Sequence, residues 1–474
     1  MLQFLTYLFI AIYTATVIGI ILVVILGNRN PLKTIPWVVV LIFAPVVGLV
    51  FYFFFGQDLR RKRIISRRTY KRLMVYALPA HVRRSDAPVP AACQSLSTLL
   101  TNTSQAVSFY GSRLTHYGDG ASKMTALLEE IEKARDHIHI LYYIFCDDET
   151  GARLQQALIR KAKEGVKVRV LYDDVGCNGV KKEFFQQMRD AGAEVHALLH
   201  VRFPMLTDRV NYRNHRKIVV IDGRIAYTGG VNLADEYINA EQRFGYWKDA
   251  ALRVEGDAAW NFTVMFLNFW NAFRPSETDY DAFRPMPLVP PVSDGIVQPY
   301  ADSPLDEEPM AETVYLNILA QAQQYIYIYT PYLAVGEEML DALKNAAKRG
   351  VDIRLVLPGI PDKKLVFRLS RSYYLPLLRA GVRIYEYTPG FLHAKCWVSD
   401  DVTAVVGSIN MDYRSLFLHF ECGVLLQKNS QVAVLRDDVR ATLPQCREIQ
   451  VTECRTSLPG TVLDSVLRLL SPLM

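Results

Sequence analysis

The sequence predicts an α/β protein of two duplicated domains with pseudo-two-fold symmetry, preceded by an N-terminal membrane helical hairpin. Three observations carry this reading. A polar frame, H-x-K-x4-D, occurs twice, at residues 215–222 and 393–400. An alternation of helical and β-rich stretches precedes each copy. Two apolar runs without a charge open the chain.

The hairpin comes first. Residues 2–28 and 34–57 hold no charged side chain, and each run is long enough to cross a hydrocarbon core as a helix. A secretory signal would want positive charge before the apolar run, and here the first basic residue is Arg29. Residues 28–33 form the hinge, with Pro31 as breaker; Pro36, Pro45 and Gly48 weaken the second helix without excluding it from a membrane. A re-entrant hairpin is the competing topology. Arg60, Arg61, Lys62, Arg63, Arg67, Arg68, Lys71 and Arg72 follow at once. A basic cluster there suits anionic lipid headgroups better than nucleic acid. By the positive-inside rule it lies in the cytoplasm, with the domains that follow it.

The domains read as 1–58 for the hairpin, 59–117 for a basic segment and connector, 118–274 for the first α/β domain, 275–310 for a Pro-rich linker and 311–474 for the second. Within the first, residues 123–134, 151–164 and 181–191 are helical, and 137–145, 166–172 and 194–199 are strand-like. This rhythm predicts a largely parallel sheet flanked by helices. Residues 312–323 and 337–349 (helix) and 325–329 and 351–357 (strand) repeat it. The segments 161–171 and 347–357 share Ala-Lys-x-Gly-Val, and Ala191-Gly192 returns as Ala380-Gly381. The repeat therefore spans a whole domain. Residues 463–473 form an apolar-striped tail helix, expected to pack onto the domain rather than lie on a membrane.

With 474 residues, half of them hydrophobic, the chain has room for these domains and a large core. The seven cysteines are scattered without a C-x-x-C pair. That argues against a disulfide framework or a structural zinc site and fits a reducing compartment. No metal is expected at the frames either, since neither is of the H-E-x-x-H type.

Each frame sits on a β-rich segment, so alternation puts His215 with Lys217, and His393 with Lys395, on one face. Gly229 and Gly407 follow each His by fourteen residues, and Asn232 and Asn410 by seventeen. Two His, two Lys and two Asn around one point suit a phosphoryl centre. The lysines neutralise nonbridging oxygens, the asparagines donate to them, one His attacks phosphorus and the other protonates the leaving oxygen. The candidate catalytic set is thus His215, Lys217, Asp222, His393, Lys395 and Asp400, with Asn232 and Asn410 for phosphate and no cofactor. For Asp222 and Asp400, at the strand ends before Gly223 and Asp401, a turn or salt-bridge role is favoured over a chemical one. His116, His137, His139, His196, His200 and His419 lack the frame and read as structural.

These motifs resemble the phospholipase D superfamily. Residues 214–223 with Gly229-Gly-Val-Asn232, and Phe391-Leu-His-Ala-Lys395 with Gly407-Ser-Ile-Asn410, are similar more narrowly to bacterial cardiolipin synthases. Tyr172-Asp-Asp-Val-Gly176, Thr330-Pro-Tyr332, Asn28-Arg-Asn-Pro31 and Phe55-Gly56 extend the likeness over nearly the whole chain. The resemblance implies two phospholipase D-like domains in a bacterial inner-membrane protein and transfer through a covalent phosphatidyl-histidine. It implies phosphatidylglycerol and an anionic bilayer as partners, and no nucleic acid. It makes His215 the nucleophile and His393 the acid and then the base. The frames themselves are equivalent and leave that division open. The family also sets a carboxylate behind each His; Asp249 and Glu421 are the candidates, with their pairing open. A phospholipase D or a transferase with another donor or acceptor is the alternative, and a nuclease or a non-catalytic scaffold stands further off.

Overall fold

The computed structural model describes residues 2–26, 31–44, 48, 89–201, 208–274, 276, 279–284, 292, 294–454 and 457–471. It divides into two units, Met1–Ser66 and Arg67–Met474. The first contains α1 (Leu2–Leu26) and α2 (Pro31–Phe43). Leu41 is buried against Ile20, Ile21, Trp37 and Val38, so the two helices pack together. Much of α1 exposes apolar side chains, Phe4, Leu8, Ile12 and Ile18 among them, as suits a helix whose solvent is lipid. Among the described residues it is the one helix long and apolar enough to cross a membrane. The described α2 has 13 residues. Most of the rest of the second apolar run, hinge residues 28–30 and the basic cluster at 60–72 lie outside the described residues.

The second unit opens with α3 (Ala91–Ser104) and β1 (Phe109–Tyr110). Next come β2 (Arg113–Tyr117), α4 (Gly120–Lys133), β3 (His137–Tyr142), α5 (Glu149–Lys163), β4 (Lys167–Asp173), α6 (Lys182–Asp190) and β5 (Glu194–Leu198). The first half closes with β6 (Ile218–Ile221), β7 (Ile225–Gly229), β8 (Tyr246–Lys248) and β9 (Ala251–Glu255). A long helix, α7 (Asp257–Phe273), leads to β10 (Ile296–Asp302). The order then returns. First come α8 (Met310–Gln321), β11 (Tyr325–Tyr329), β12 (Leu333–Ala334), α9 (Glu337–Lys348), β13 (Asp352–Pro358), α10 (Lys364–Ser372), α11 (Tyr374–Arg379) and β14 (Arg383–Tyr387). They are followed by β15 (Gly390–Leu392), β16 (Cys396–Ser399), β17 (Thr403–Gly407), β18 (Met411–Asp412), α12 (Tyr413–Phe417) and β19 (Glu421–Gln427). The last elements are α13 (Ser430–Thr442), β20 (Cys446–Glu448) and α14 (Leu458–Leu469).

Among the described residues two large sheets result, in the orders β2-β9-β7-β6-β3-β4-β5 and β1-β10-β19-β17-β16-β11-β13-β14-β20, beside the two-stranded pairs β12-β18 and β15-β8. The run β9-β7-β6-β3-β4-β5 matches β19-β17-β16-β11-β13-β14 strand for strand, so the duplication is architectural. The sheets are mixed, which corrects the expectation of a largely parallel sheet. β3, β4 and β5 are parallel, as are β11, β13 and β14. The frame strands are antiparallel hairpins, β6 with β7 and β16 with β17. The reason is local. Asp222 and Gly223, and Asp400 and Asp401, take φ of 52–63°. Successive left-handed residues turn a strand tightly back on itself, and a tight turn joins only antiparallel neighbours.

Two features cross between the halves. β1 pairs with β10 in the second sheet, and Leu96 and Leu100 of α3 join that sheet's core. The stretch read as connector thus supplies structure to the far half. α7 is enclosed nearly all round; fourteen of its residues are buried, among them Asn261 and Asn271, whose amides donate to the Pro299 carbonyl and the Tyr280 hydroxyl. It packs against β3, β6, β7 and β9 of one sheet and β1 and β10 of the other. A helix wedged between two sheets is buried on opposite sides at once and carries apolar side chains well beyond a single stripe. Removing the fully buried ring of Phe266 would cost about 3–5 kcal/mol.

Candidate active site

The histidine and carboxylate of each pair come from opposite halves. His215 Nδ1 lies 2.8 Å from Glu421 Oε1, and His393 Nδ1 lies 2.7 Å from Asp249 Oδ2. Backbone contacts carry the crossing. The His215 N–H donates to the Phe420 carbonyl at 2.9 Å, and the Phe420 N–H donates to Arg213 at 2.9 Å. On the other side β8 and β15 pair in parallel, and the His393 N–H donates to the Lys248 carbonyl at 2.7 Å. Each loop that presents a histidine is thus stitched to the loop that presents the other half's carboxylate.

All four groups are buried. Burial, above all, holds His215 down to about 3 and His393 down to about 4, despite the lift from Glu421 and Asp249; Lys217 and Lys395 add to the lowering. Burial alone would raise the two carboxylates, but the facing imidazoles bring both below their usual range. At neutral pH the carboxylates are therefore charged and the rings neutral. The tautomer assigned by these contacts puts the proton on Nδ1 and leaves a lone pair on Nε2.

Lys217 Nζ donates to its own His215 carbonyl at 2.7 Å, and Lys395 donates likewise to His393. One N–H of each ammonium is so engaged, and two remain for a ligand. Burial brings Lys217 down to about 7 and Lys395 to about 8, against the pull of Glu421 and Asp249. Asn410 Nδ2 donates to Asp412 at 3.0 Å, and Asn232 Oδ1 accepts weakly from the Ile144 N–H at 3.4 Å. Both asparagines are buried. Asp222 and Asp400 do not join this cluster. The Asp222 carboxylate accepts backbone N–H groups of Arg135, Asp136 and His137 at 2.9–3.0 Å. Asp400 accepts those of Gln323, Gln324 and Tyr325 at 2.8–3.0 Å. Seven residues of extended chain put them roughly 20 Å from their histidines, so they close turns and belong outside the chemical set.

One residue read as structural stands inside the site. The His419 ring centroid is 5.5 Å from that of His215, and its Nδ1 is 3.7 Å from Glu421 Oε1. Its side chain is 10% exposed, and neither ring nitrogen has a hydrogen-bond partner among the described residues. The signal was its place two residues before Glu421, where strand alternation returns it to the same face. The matching position before Asp249 is Trp247, whose ring lies 5.2 Å from His393. His215, His419 and Glu421 bring three potential ligand atoms within 4.8 Å of one another. His215 and Glu421 already bond each other, however, and Lys217 adds charge beside them.

The family profile described as "Cardiolipin synthase, PLD-like domain" matches residues 127–245 and 315–442, which carry both frames. The chain belongs to this family of the phospholipase D superfamily. A profile for the phospholipase D-nuclease N-terminal segment matches residues 14–57. A cardiolipin synthase of Geobacillus sp. (strain WCH70) is 37% identical over 97% of this chain and 93% of its own length. Cardiolipin synthase 2 of Bacillus anthracis is 36% identical over 95% and 89%. Among solved structures, the phosphatidylserine synthase of Haemophilus influenzae superposes with a TM-score of 0.61. It covers 80% of this chain and 99% of its own at 16% identity, a likeness of fold. The family makes this chain an enzyme, a phosphatidyltransferase, and the apolar N-terminal helix is consistent with membrane association.

Proposed function

We propose that the protein is a cardiolipin synthase that moves a phosphatidyl group from one phosphatidylglycerol to another and releases glycerol. The observation that carries the reading is the crossed pair of buried His–carboxylate bonds, one unit assembled from both halves. Nε2 of His215 attacks phosphorus. The bond from phosphorus to the glycerol oxygen breaks, and His393 gives that oxygen a proton. The product is a phosphatidyl-histidine with a positively charged ring, which Glu421 stabilises. His393, now neutral, takes the proton from the headgroup hydroxyl of a second phosphatidylglycerol. That oxygen attacks phosphorus and frees His215.

Both rings are neutral in the free enzyme, yet the first step needs an acid. On binding, the phosphodiester anion lets His393 take up a proton from solvent. Its charge raises the neighbouring imidazole and restores both ammonium groups, which then hold the nonbridging oxygens with Asn232 and Asn410. Transfer outruns hydrolysis only in a site poor in water, and the burial of all four pair members supports that.

In this reading α1 and the second apolar run form a hairpin in the bacterial cell membrane, with both α/β halves cytoplasmic beside the basic residues at 60–72. Accessibility of engineered cysteines from either side of sealed vesicles tests the topology. The chemistry is tested by giving the purified full chain labelled phosphatidylglycerol in vesicles and resolving the lipids. Cardiolipin and free glycerol are expected. Phosphatidic acid alone would make it a phospholipase D, and product only with another lipid or alcohol present would make it a different transferase. His215→Ala and His393→Ala should each reduce product by roughly 10³-fold or more. Near-normal turnover in either variant would end the two-histidine mechanism.

A further inference from the structure

The tail helix α14 is amphipathic in the wrong sense for a helix that merely packs. Its contact with the body runs through Leu467, 6% exposed, through Arg368 of α10 and through Arg468, which lies 4.3 Å over the Tyr373 ring. Arg368 reaches Asp464 at 2.7 Å and the Gly460 carbonyl at 3.3 Å. At 100° per residue, Leu458, Leu469, Val462, Val466, Leu470 and Leu463 share an arc of about 140° on the other side. All six are exposed, Leu458 by 82% and Leu469 by 79%. The expectation that the stripe would pack onto the domain is therefore reversed: the apolar arc faces outward.

What lies beside the arc selects its occupant. α10, against which α14 packs, exposes Leu365, and Lys363 and Lys364 stand exposed at its start. The same end of α10 connects to the wall of His393 through two aromatic rings. Lys363 Nζ sits 5.6 Å over the Tyr332 ring, which lies 6.3 Å from Phe391, itself 6.0 Å from His393. Outward leucines beside lysines, next to a phosphoryl-transfer site, fit an anionic bilayer surface. A second protein copy would not need to sit beside the path to His393, whereas a lipid substrate has to arrive there.

We propose that α14, with the start of α10, docks this unit onto an anionic lipid bilayer and sets the His393 side of the site at the headgroup layer. This rests on the lipid substrate of the proposed function. The apolar arc enters the interface, Lys363 and Lys364 meet lipid phosphates, and phosphatidylglycerol passes from the leaflet along Tyr332 without crossing water.

The test places a photoreactive benzophenone side chain at Val462 of the full chain, reconstituted in vesicles of phosphatidylglycerol and phosphatidylcholine. Irradiation should yield chain–lipid adducts by mass spectrometry. Adducts between two chains, or within one chain alone, would overturn the proposal, as would no lipid adduct. Alongside, Leu458→Glu with Leu469→Glu should lower turnover of vesicle phosphatidylglycerol by about tenfold or more. Turnover of a monomeric short-chain phosphatidylglycerol should be unchanged. Equal loss on both substrates would overturn the docking role. If the unaltered chain forms no product from either, the proposed function fails, while the adduct still reports docking.

Discussion

The two halves present the same frame in different surroundings. His215 is backed by Glu421, whose second oxygen receives the Ser408 hydroxyl, and it has Tyr143 and His419 as ring neighbours. Its successor Arg216 donates to the Glu421 carbonyl at 2.8 Å and stacks on Phe269 at 4.7 Å. His393 is backed by the shorter Asp249 and enclosed by Tyr237, Trp247 and Phe391. Ala394 stands where Arg216 stands, and Gly230 where Ser408 stands. A Cβ at Gly230 would come within 2.1 Å of Asp249 Oδ1. One histidine is thus braced by polar groups and the other boxed in by aromatic rings. The duplication kept the reacting atoms and varied the walls. That asymmetry suits a site where one histidine must carry a covalent, charged adduct and the other must only pass a proton.

The largest effect should come from neutralising the carboxylates. Glu421→Gln and Asp249→Asn should each lose roughly 10³–10⁴-fold in turnover, because the ring loses both its tautomer and its counter-charge. The comparison predicts which step fails: quenched single-turnover reactions should show little phosphohistidine adduct for Glu421→Gln. The same slow adduct formation from both variants would make the halves interchangeable.

Exchanging the small residues behind the carboxylates sharpens the contrast. Gly230→Ser pushes Asp249 aside and should cost roughly 10²-fold. Ser408→Gly removes one hydrogen bond to Glu421 and should cost only about tenfold. Equal losses in steady-state assays would mean that the two walls do the same work.

The lysines set a gentler limit. With Lys217 held near 7 and Lys395 near 8, the free enzyme loses positive charge as pH rises through that range. kcat/KM should therefore fall above about pH 8, with KM carrying the change, since bound phosphate restores the charge. A profile from pH 6 to 10 in mixed micelles checks this. A fall confined to kcat would point to the histidines instead.

The smallest effect is on stability. Both imidazoles are held far below their ordinary 6.5 in the fold. Between those folded values and 6.5 the unfolded chain binds more protons, so the contribution is full above 6.5 and is lost as pH drops below it. The denaturant midpoint of the second unit should be lower at pH 5 than at pH 7.5. No shift would mean that the rings titrate in the fold as they do in the unfolded chain, and a higher midpoint at pH 5 that the fold keeps them charged.

Much of this was legible in the residues. Periodicity placed helices near 123–134 and 337–349 and strands near 166–172 and 325–329, because each has one buried face or a short β-branched run. Spacing singled out His215, Lys217, His393 and Lys395, whose charges act on one another in the fold. The mixed sheets were missed because consecutive left-handed turns at Asp222 and Asp400 outweighed the βα rhythm. α7 was missed because a helix buried between two sheets spreads its apolar residues well beyond the single stripe that marks a surface helix. The crossing of Asp249 to His393 and of Glu421 to His215 is a tertiary choice that local sequence does not encode. His419 was passed over because it lacks the frame, although its offset from Glu421 marked it.

The crossing also governs when the site comes into being. His215 is made 206 residues before Glu421, an interval of roughly 10–40 s at ordinary ribosomal speeds of about 5–20 residues per second. Throughout that time the nascent chain, its apolar N-terminus already synthesised, carries a histidine without its counter-charge. The enzyme is therefore silent during its own birth. Phosphoryl transfer switches on only when the last third of the polypeptide folds back onto the first half.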